Sequence, residues 1–387
     1  MWNKIKIYFK NQIQEIESSL VLRIYGFFLS FIHVVTWVFW RKTVPGSLSD
    51  GMNSFCWPFF TNCDIVHGLN ETFVSVSLFV YLLVSLGAAF LFLTKKITWA
   101  YGASIALFVF KFLIQIADYR FMGNYHYMPQ LVTLAFLFLP RKEQLAPLLL
   151  VVFYFSAGLL KLNYEWLSGS ALWRGLPFTD NEYLFQLSTA AVVLLELLFV
   201  FGLLSKSNAV RWPTLAVFIL FHIVSWHWVG YFYPLICLSM LTIYPLLWYL
   251  KAKIDFKLHP SGYAYIFLIL LAQAIPKLTS DDPALYGKDR ILSLNMIDAR
   301  AECMSSIVIH DNNKMIEFIP DKRRFGSRVK CDEIIYLNFA RNICHSYKVE
   351  NEMPRVDLFL AARRKTDFHQ RELLNITDFC KKMDHYL

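Results

Sequence analysis

Long apolar runs separated by short polar connections dominate the first three quarters of the chain and then stop near residue 276. Runs approaching the roughly 20 residues that cross a bilayer occur about nine times, at roughly 21–40, 74–94, 97–117, 127–140, 145–162, 183–204, 212–229, 231–249 and 262–276. The fourth and ninth are short for a full crossing. Beyond 276 the period changes. "SSIVIHDNNKMIEFIP" alternates apolar and polar positions on both sides of a turn at Asp311, Asn312 and Asn313, which predicts a β-hairpin. "DEIIYLNFARNICHSY" has helical spacing and "RVDLFLAA" reads as another strand. The pattern therefore predicts a mainly α chain: a polytopic membrane helical bundle over 1–276, followed by a small α+β extracytoplasmic domain over 277–387.

Charge places the ends of the spans. The opening stretch "MWNKIKIYFKNQIQEIESSLVLR" is amphipathic and leads directly into the first run, so that run is expected to serve as the insertion signal without a cleavable leader. Lys4, Lys6, Lys10 and Arg23 precede the first run, and Lys95 and Lys96 follow the second. Arg141 and Lys142 follow the fourth, Lys206 and Arg211 the sixth, and Lys251, Lys253 and Lys257 the eighth. The alternate connections carry Asp50, Asp64, Glu71, Asp118, Glu165, Asp180 and Glu182 instead. Lysine and arginine collect in cytoplasmic loops, which predicts a cytoplasmic N-terminus and a lumenal or periplasmic C-terminal domain. Composition agrees: 56% of the 387 residues are hydrophobic, mean hydropathy is +0.41, and only 17% are charged, against about 25% in soluble domains. On this reading the net charge of +9 reflects topology, and no nucleic-acid partner is expected.

Of the seven cysteines only Cys237 falls inside a run; Cys56, Cys63, Cys303, Cys331, Cys344 and Cys380 all fall on the predicted outer side. Disulfides are expected there, with the pairing left open by sequence. No CxxC or cysteine–histidine ligand spacing occurs, so no metal is expected.

Chemistry is sought among ionisable residues at membrane depth, because a charge at the bilayer centre costs at least about 2.5–3.5 kcal/mol and persists only with a partner or a role. The candidates are Lys111, Lys161, Glu196 and His222, with His126 and His227 at outer ends. Lys111 and Glu196 are expected to form an ion pair. Lys161 closes the segment "VVFYFSAGLLKLNYEWLSG". The bland reading is a lysine that snorkels to the headgroups. Ser156, Ala157 and Gly158 just before it allow close helix contact, which would turn the amine into the bundle. The plain alternatives for His126, His222 and Asn124 are an interfacial histidine, a satisfied core histidine and a turn residue. "SWHWVGYFY" reads first as interface belt and core.

At these residues the chain resembles the vitamin K-dependent gamma-glutamyl carboxylases and their bacterial relatives, which share the horizontally transferred transmembrane (HTTM) domain. The resemblance rests on "FSAGLLKLNYEWLSG" at 155–169, "NYHYMPQL" at 124–131, "LFHIVSW" at 220–226 and "VLLELLF" at 193–199. It extends to "LSLNMIDAR" at 292–300 and "LNFARNICHSY" at 337–347. It implies that a reduced vitamin K, or menaquinol in a bacterium, is deprotonated and reacts with molecular oxygen. The resulting strong base removes a proton from the γ-carbon of a glutamate in a protein or peptide, and carbon dioxide adds there. The resemblance puts the catalytic lysine at Lys161 and its assisting histidine at His126. Asn124, His222, His227 and Trp166 then lie toward the quinone, and a Cys56–Cys344 disulfide ties the first outer loop to the outer domain. Two departures accompany it: the chain is much shorter than the animal enzymes, and Leu160 stands where the animal motif has a second lysine. The alternative reading is a quinone- or lipid-binding membrane protein of the same fold, non-catalytic or coupled to another acceptor, with membrane lipid as its surroundings in either case.

Overall fold

In a computed structural model the chain is described over residues 2–49, 55–60, 63–252, 255–285, 290–296, 299–311, 314–320, 330–346 and 354–383. An amphipathic helix, α1 (Trp2–Ser18), precedes α2 (Leu20–Ser49), whose first turn is closed by Ser19 Oγ accepting from the Leu22 N–H. There follow α3 (Glu71–Leu93), α4 (Ile97–Ala117), α5 (Asn124–Phe138), α6 (Lys142–Lys161) and the single turn α7 (Tyr164–Leu167). Then come α8 (Glu182–Leu197), continued by a 3-10 segment Phe199–Leu204, α9 (Asn208–Val229), α10 (Phe232–Leu241), α11 (Ile243–Tyr249) and α12 (Pro260–Thr279).

Seven of these stretches are long and apolar enough to cross a membrane: α2, α3, α4, α6, α9, the α10–α11 pair and α12. The other two predicted runs are helical but shorter. The run at 127–140 is α5, with 15 residues, and the run at 183–204 is the 16-residue α8 with its 3-10 continuation. Membrane-facing helices keep large apolar side chains exposed, such as Phe73, Phe79 and Phe90 on α3 and Phe267 and Leu268 on α12. That is the expected surface where lipid replaces water. The interior is made by α2, α5, α6 and α10, with Leu22, Tyr25, Leu149, Phe153 and Ile236 fully buried.

The C-terminal region holds an antiparallel sheet in the order β2-β1-β3-β4, from β1 (Ala301–Asp311), β2 (Lys314–Phe318), β3 (Arg355–Arg364) and β4 (Arg371–Ile376). The predicted hairpin is β1–β2, with Asp311 opposite Lys314; its turn residues Asn312 and Asn313 lie outside the described residues. The predicted helix is α13 (Glu333–Ser346), followed late in the chain by α14 (Phe379–Lys382). Alternate residues of β3, Val356, Leu358 and Leu360, are buried with Ile307 and Ile309 of β1 and Ile335, Ala340 and Ile343 of α13, as one packed sheet face requires.

This small core is shared with the bundle. Phe55, Trp57, Tyr119 and Met122, from connections between membrane helices, are part of it. The Tyr119 hydroxyl donates to Asp332 at 2.6 Å. Asn338 clasps Cys56 through both backbone groups at 3.1 Å. The Cys56–Cys344 pairing is therefore corrected: Cys56 is bonded to Cys63, Cys303 to Cys331 and Cys344 to Cys380. The segment holding Cys56 does meet α13. An amide clamp and the Arg341 guanidinium, 2.8 Å from Cys56 Sγ, make the contact, while Cys344, farther along α13, is joined to α14.

Candidate functional site

Lys161 ends α6, and local backbone chemistry turns the chain back over it. The Asn163 side chain donates to the Leu160 carbonyl at 2.8 Å and accepts from the Trp166 N–H at 2.9 Å, capping the one-turn α7. That turn lays Trp166 over the amine, with Nζ 5.1 Å from the ring centroid, while the indole N–H holds the Thr189 carbonyl of α8 at 3.0 Å. Lys161 is 2% exposed and does not snorkel.

Its partner is Glu196, whose two carboxylate oxygens lie 2.7 and 2.5 Å from Nζ and which is itself 1% exposed. The expected Lys111–Glu196 pair is thus corrected. α8 packs along α6 and makes no comparable contact with α4, so the acid reaches only one of the two lysines. Gly158 makes this approach possible: a Cβ there would stand 2.9 Å from Leu197 and 3.0 Å from Glu196 Cβ. The small-residue stripe of the sequence is the reason the amine faces inward.

Beside the pair lies a cavity of about 990 Å³. Lys161, with Trp166 over it and Met296 Sδ 4.0 Å away, makes a polar corner, and Asn124 and Arg120 also line the cavity. One wall is a single face of α9, with Val210, Thr214, Val217, Phe221, Val224 and Trp228 at helical spacing. The facing wall is α8 and its continuation, with Phe185, Thr189, Val192, Leu195 and Phe199. The two helices meet through the 3-10 segment and scarcely touch along their lengths, which leaves a long apolar cleft. Val210, Val217, Leu220 and Phe199 line the cleft and are also exposed on the membrane-facing surface. At the corner the Asn124 N–H donates to the Asn295 carbonyl at 3.1 Å, and Leu294 N–H donates to Gln273 of α12 at 2.8 Å. The segment 290–296 thus closes the bundle and presents Met296 Sδ 4.0 Å from Lys161.

The other predicted residues divide. Asn124 and Trp166 line the cavity with Lys161. His222 is fully buried beside it, with Nε2 2.6 Å from the Tyr154 hydroxyl and Nδ1 unpartnered. His126 lies behind Phe39, Tyr125 and Phe232, which line the cavity; its Nε2 accepts from Trp40 at 3.2 Å. His227 is half-buried at the end of α9 with its ring edge-on to Trp228, outside the cavity lining. Sequence reasoning missed Tyr154, Trp40 and Met296, for which no local signal exists. It singled out Glu196 as an acid within an apolar run, but carried no signal for which lysine the acid approaches.

The corner is tied to the C-terminal domain by Glu165. Its carboxylate is 1% exposed and accepts from the Arg300 N–H at 2.8 Å and from the Thr366 N–H and hydroxyl at 3.2 and 2.9 Å. The chain spacing is decisive, since Glu165 precedes the Trp166 that covers the amine. No group of histidine, cysteine or acidic residues arranged to hold a metal occurs among the described residues. Together the fold and site define a membrane protein with a buried lysine–glutamate pair at the corner of an apolar cleft. Comparison with protein-family models, curated proteins and solved structures finds no match to this chain.

Proposed function

We propose that the protein is a carboxylase-like integral membrane enzyme that binds a reduced naphthoquinone in the cleft between α8 and α9 and uses Lys161 as the proton acceptor for its hydroxyl. The observation that carries this reading is the burial of Lys161, in contact with Glu196, at the polar corner of an otherwise apolar cavity. A ring bearing two hydroxyls and a long apolar tail fits this division, and about 27 Å of α9 between Val210 and Trp228 is available to the tail. When bound, such a quinol would supply, with molecular oxygen, the strong base that takes a proton from a glutamate γ-carbon, to which carbon dioxide adds.

The chain's own part is proton handling and orientation. An ammonium cannot accept a proton, so Lys161 first passes one to Glu196 across the contact of 2.5 Å, leaving a neutral amine beside a neutral acid. Trp166 excludes water from the amine, and the Asn124 side chain holds a polar ring substituent at the corner. His126, behind Tyr125 and Phe232, positions these rings. The proposed orientation puts the C-terminal domain on the lumenal or periplasmic side; the alternation of basic loops and the three disulfides support it.

One observation favours the second reading, a quinone- or lipid-binding protein without catalysis: Glu196 engages the Lys161 amine through both oxygens, which suffices for a structural pair. The discriminating experiment follows conversion of reduced phylloquinone and menaquinone to their epoxides by the purified protein. Comparison is with the charge-balanced variant Lys161→Met/Glu196→Leu. Epoxide formed by the wild type and lost in the folded variant supports the enzyme reading, and incorporation of labelled carbon dioxide into glutamate peptides then tests the acceptor. No epoxide from folded wild type with either quinol would leave the binding reading, and unchanged epoxide in the variant would remove Lys161 from the chemistry.

A further inference from the structure

A second buried polar cluster lies among α2, α3, α4 and α5; of its members the proposed reaction uses only His126, whose ring packs against Tyr125 and Phe232. Helical spacing puts His33 and Thr36 on one face of α2, Tyr81 and Ser85 on one face of α3, Ser104 and Lys111 on α4, and His126, Gln130 and Thr133 on α5. All nine are less than one-tenth exposed. Contacts across the helices draw them together. His33 Nδ1 is 2.6 Å from the Tyr81 hydroxyl, and Gln130 Nε2 donates at 3.0 Å to the carbonyl of Phe108, three residues before Lys111.

The cluster is incomplete in a specific way. Lys111 is 1% exposed, and among the described residues it has no carboxylate partner, the one acid at this depth being committed to Lys161. Trp40 can only donate, so its contact makes His126 Nε2 the acceptor and leaves the hydrogen of the neutral ring on Nδ1. That Nδ1–H is unpartnered, as is the Nε2 of Gln115, one turn beyond Lys111. Gln130 Oε1 is a buried acceptor without a donor. A buried ammonium without a counter-charge is costly at membrane depth, and each orphaned polar atom adds to that cost.

We propose that this cluster binds one small oxyanion that also carries a hydroxyl, of the bicarbonate class. Its charge would sit against Lys111, its oxygens would accept from His126 Nδ1–H and Gln115 Nε2–H, and its O–H would donate to Gln130 Oε1. A halide satisfies the donors and leaves Gln130 unpaired; formate does the same. The site lies behind the rings that line the cleft and shares only His126 with it; anion binding there does not require the quinol chemistry proposed for Lys161.

The test uses the purified full chain at fixed pH, with ionic strength held constant by gluconate. Bicarbonate, formate and chloride are each titrated from 1 to 100 mM while the melting temperature is followed. The expected result is a saturable rise of roughly 2–5 °C with bicarbonate, a smaller one with formate or chloride, and none with Lys111→Met. Gln130→Met should erase the preference for bicarbonate over formate. Saturation-transfer NMR with carbon-13 bicarbonate on the wild type reads binding without any variant. No saturable response and no transfer, an equal response to all three anions, or a response retained in folded Lys111→Met would overturn the proposal.

Discussion

Removing the charge of Lys161 alone should destabilise the bundle far more than removing the pair. Both side chains are at most 3% exposed, so Lys161→Met leaves a carboxylate at membrane depth, and Glu196→Leu leaves an ammonium. Losing one member of a buried pair costs about 3–5 kcal/mol, whereas replacing both by apolar side chains of similar volume is near neutral or stabilising. Among the described residues Glu196 has no second cationic partner, and the amine's other neighbours, Trp166 and Met296, carry no charge. Each single variant should therefore melt roughly 4–6 °C below wild type in detergent, and Lys161→Met/Glu196→Leu within about 1 °C of it or above it. The coupling energy from the cycle should exceed the ~3 kcal/mol upper range of ordinary contacting pairs. Thermal melts of the four proteins, each checked for monodispersity, supply the numbers. A neutral Lys161→Met, or single losses that add in the double variant, would refute the claim that the two charges are held only by each other.

Further predictions test the surroundings of the pair and the C-terminal domain. Gly158→Ala puts a methyl group 2.9 Å from Leu197 and 3.0 Å from Glu196 Cβ; a loss of about 1–3 kcal/mol is expected, and a neutral outcome by thermal melt would show that α8 can retreat. Non-reducing peptide mapping should recover Cys56 linked to Cys63 and Cys344 linked to Cys380; a Cys56–Cys344 peptide would return the arrangement implied by the resemblance. In the C-terminal domain, partial burial raises the Asp357 carboxyl, but hydrogen bonds from Arg355, the Asp378 N–H and His310 outweigh it and hold it at about 2. Because that value is depressed on folding, its stabilisation is complete above the unfolded value of about 4 and is lost as pH falls from there toward 2. Asp357→Asn should flatten that acid limb in a pH series of melts, and an unchanged limb would assign it to other groups.

How far the sequence reached is visible residue by residue. Apolar runs and their basic connections determined where helices form, because burying a backbone in lipid requires helix and about 20 apolar residues wherever the chain crosses. Period-two alternation likewise determined β1, β2 and β3, and Ser156, Ala157 and Gly158 determined that Lys161 would turn inward. Those signals are local. Partner choice is not: whether Glu196 meets Lys111 or Lys161 depends on which helix lies beside α8, and whether Cys56 meets Cys344 or Cys63 depends on how the loop after α2 rests on α13. His126 and His222, equivalent by spacing, were separated only by the rings packed around them. The tertiary structure alone decided these points, because each is a contact between segments tens to hundreds of residues apart, and hydropathy along one segment carries no information about its neighbour in space.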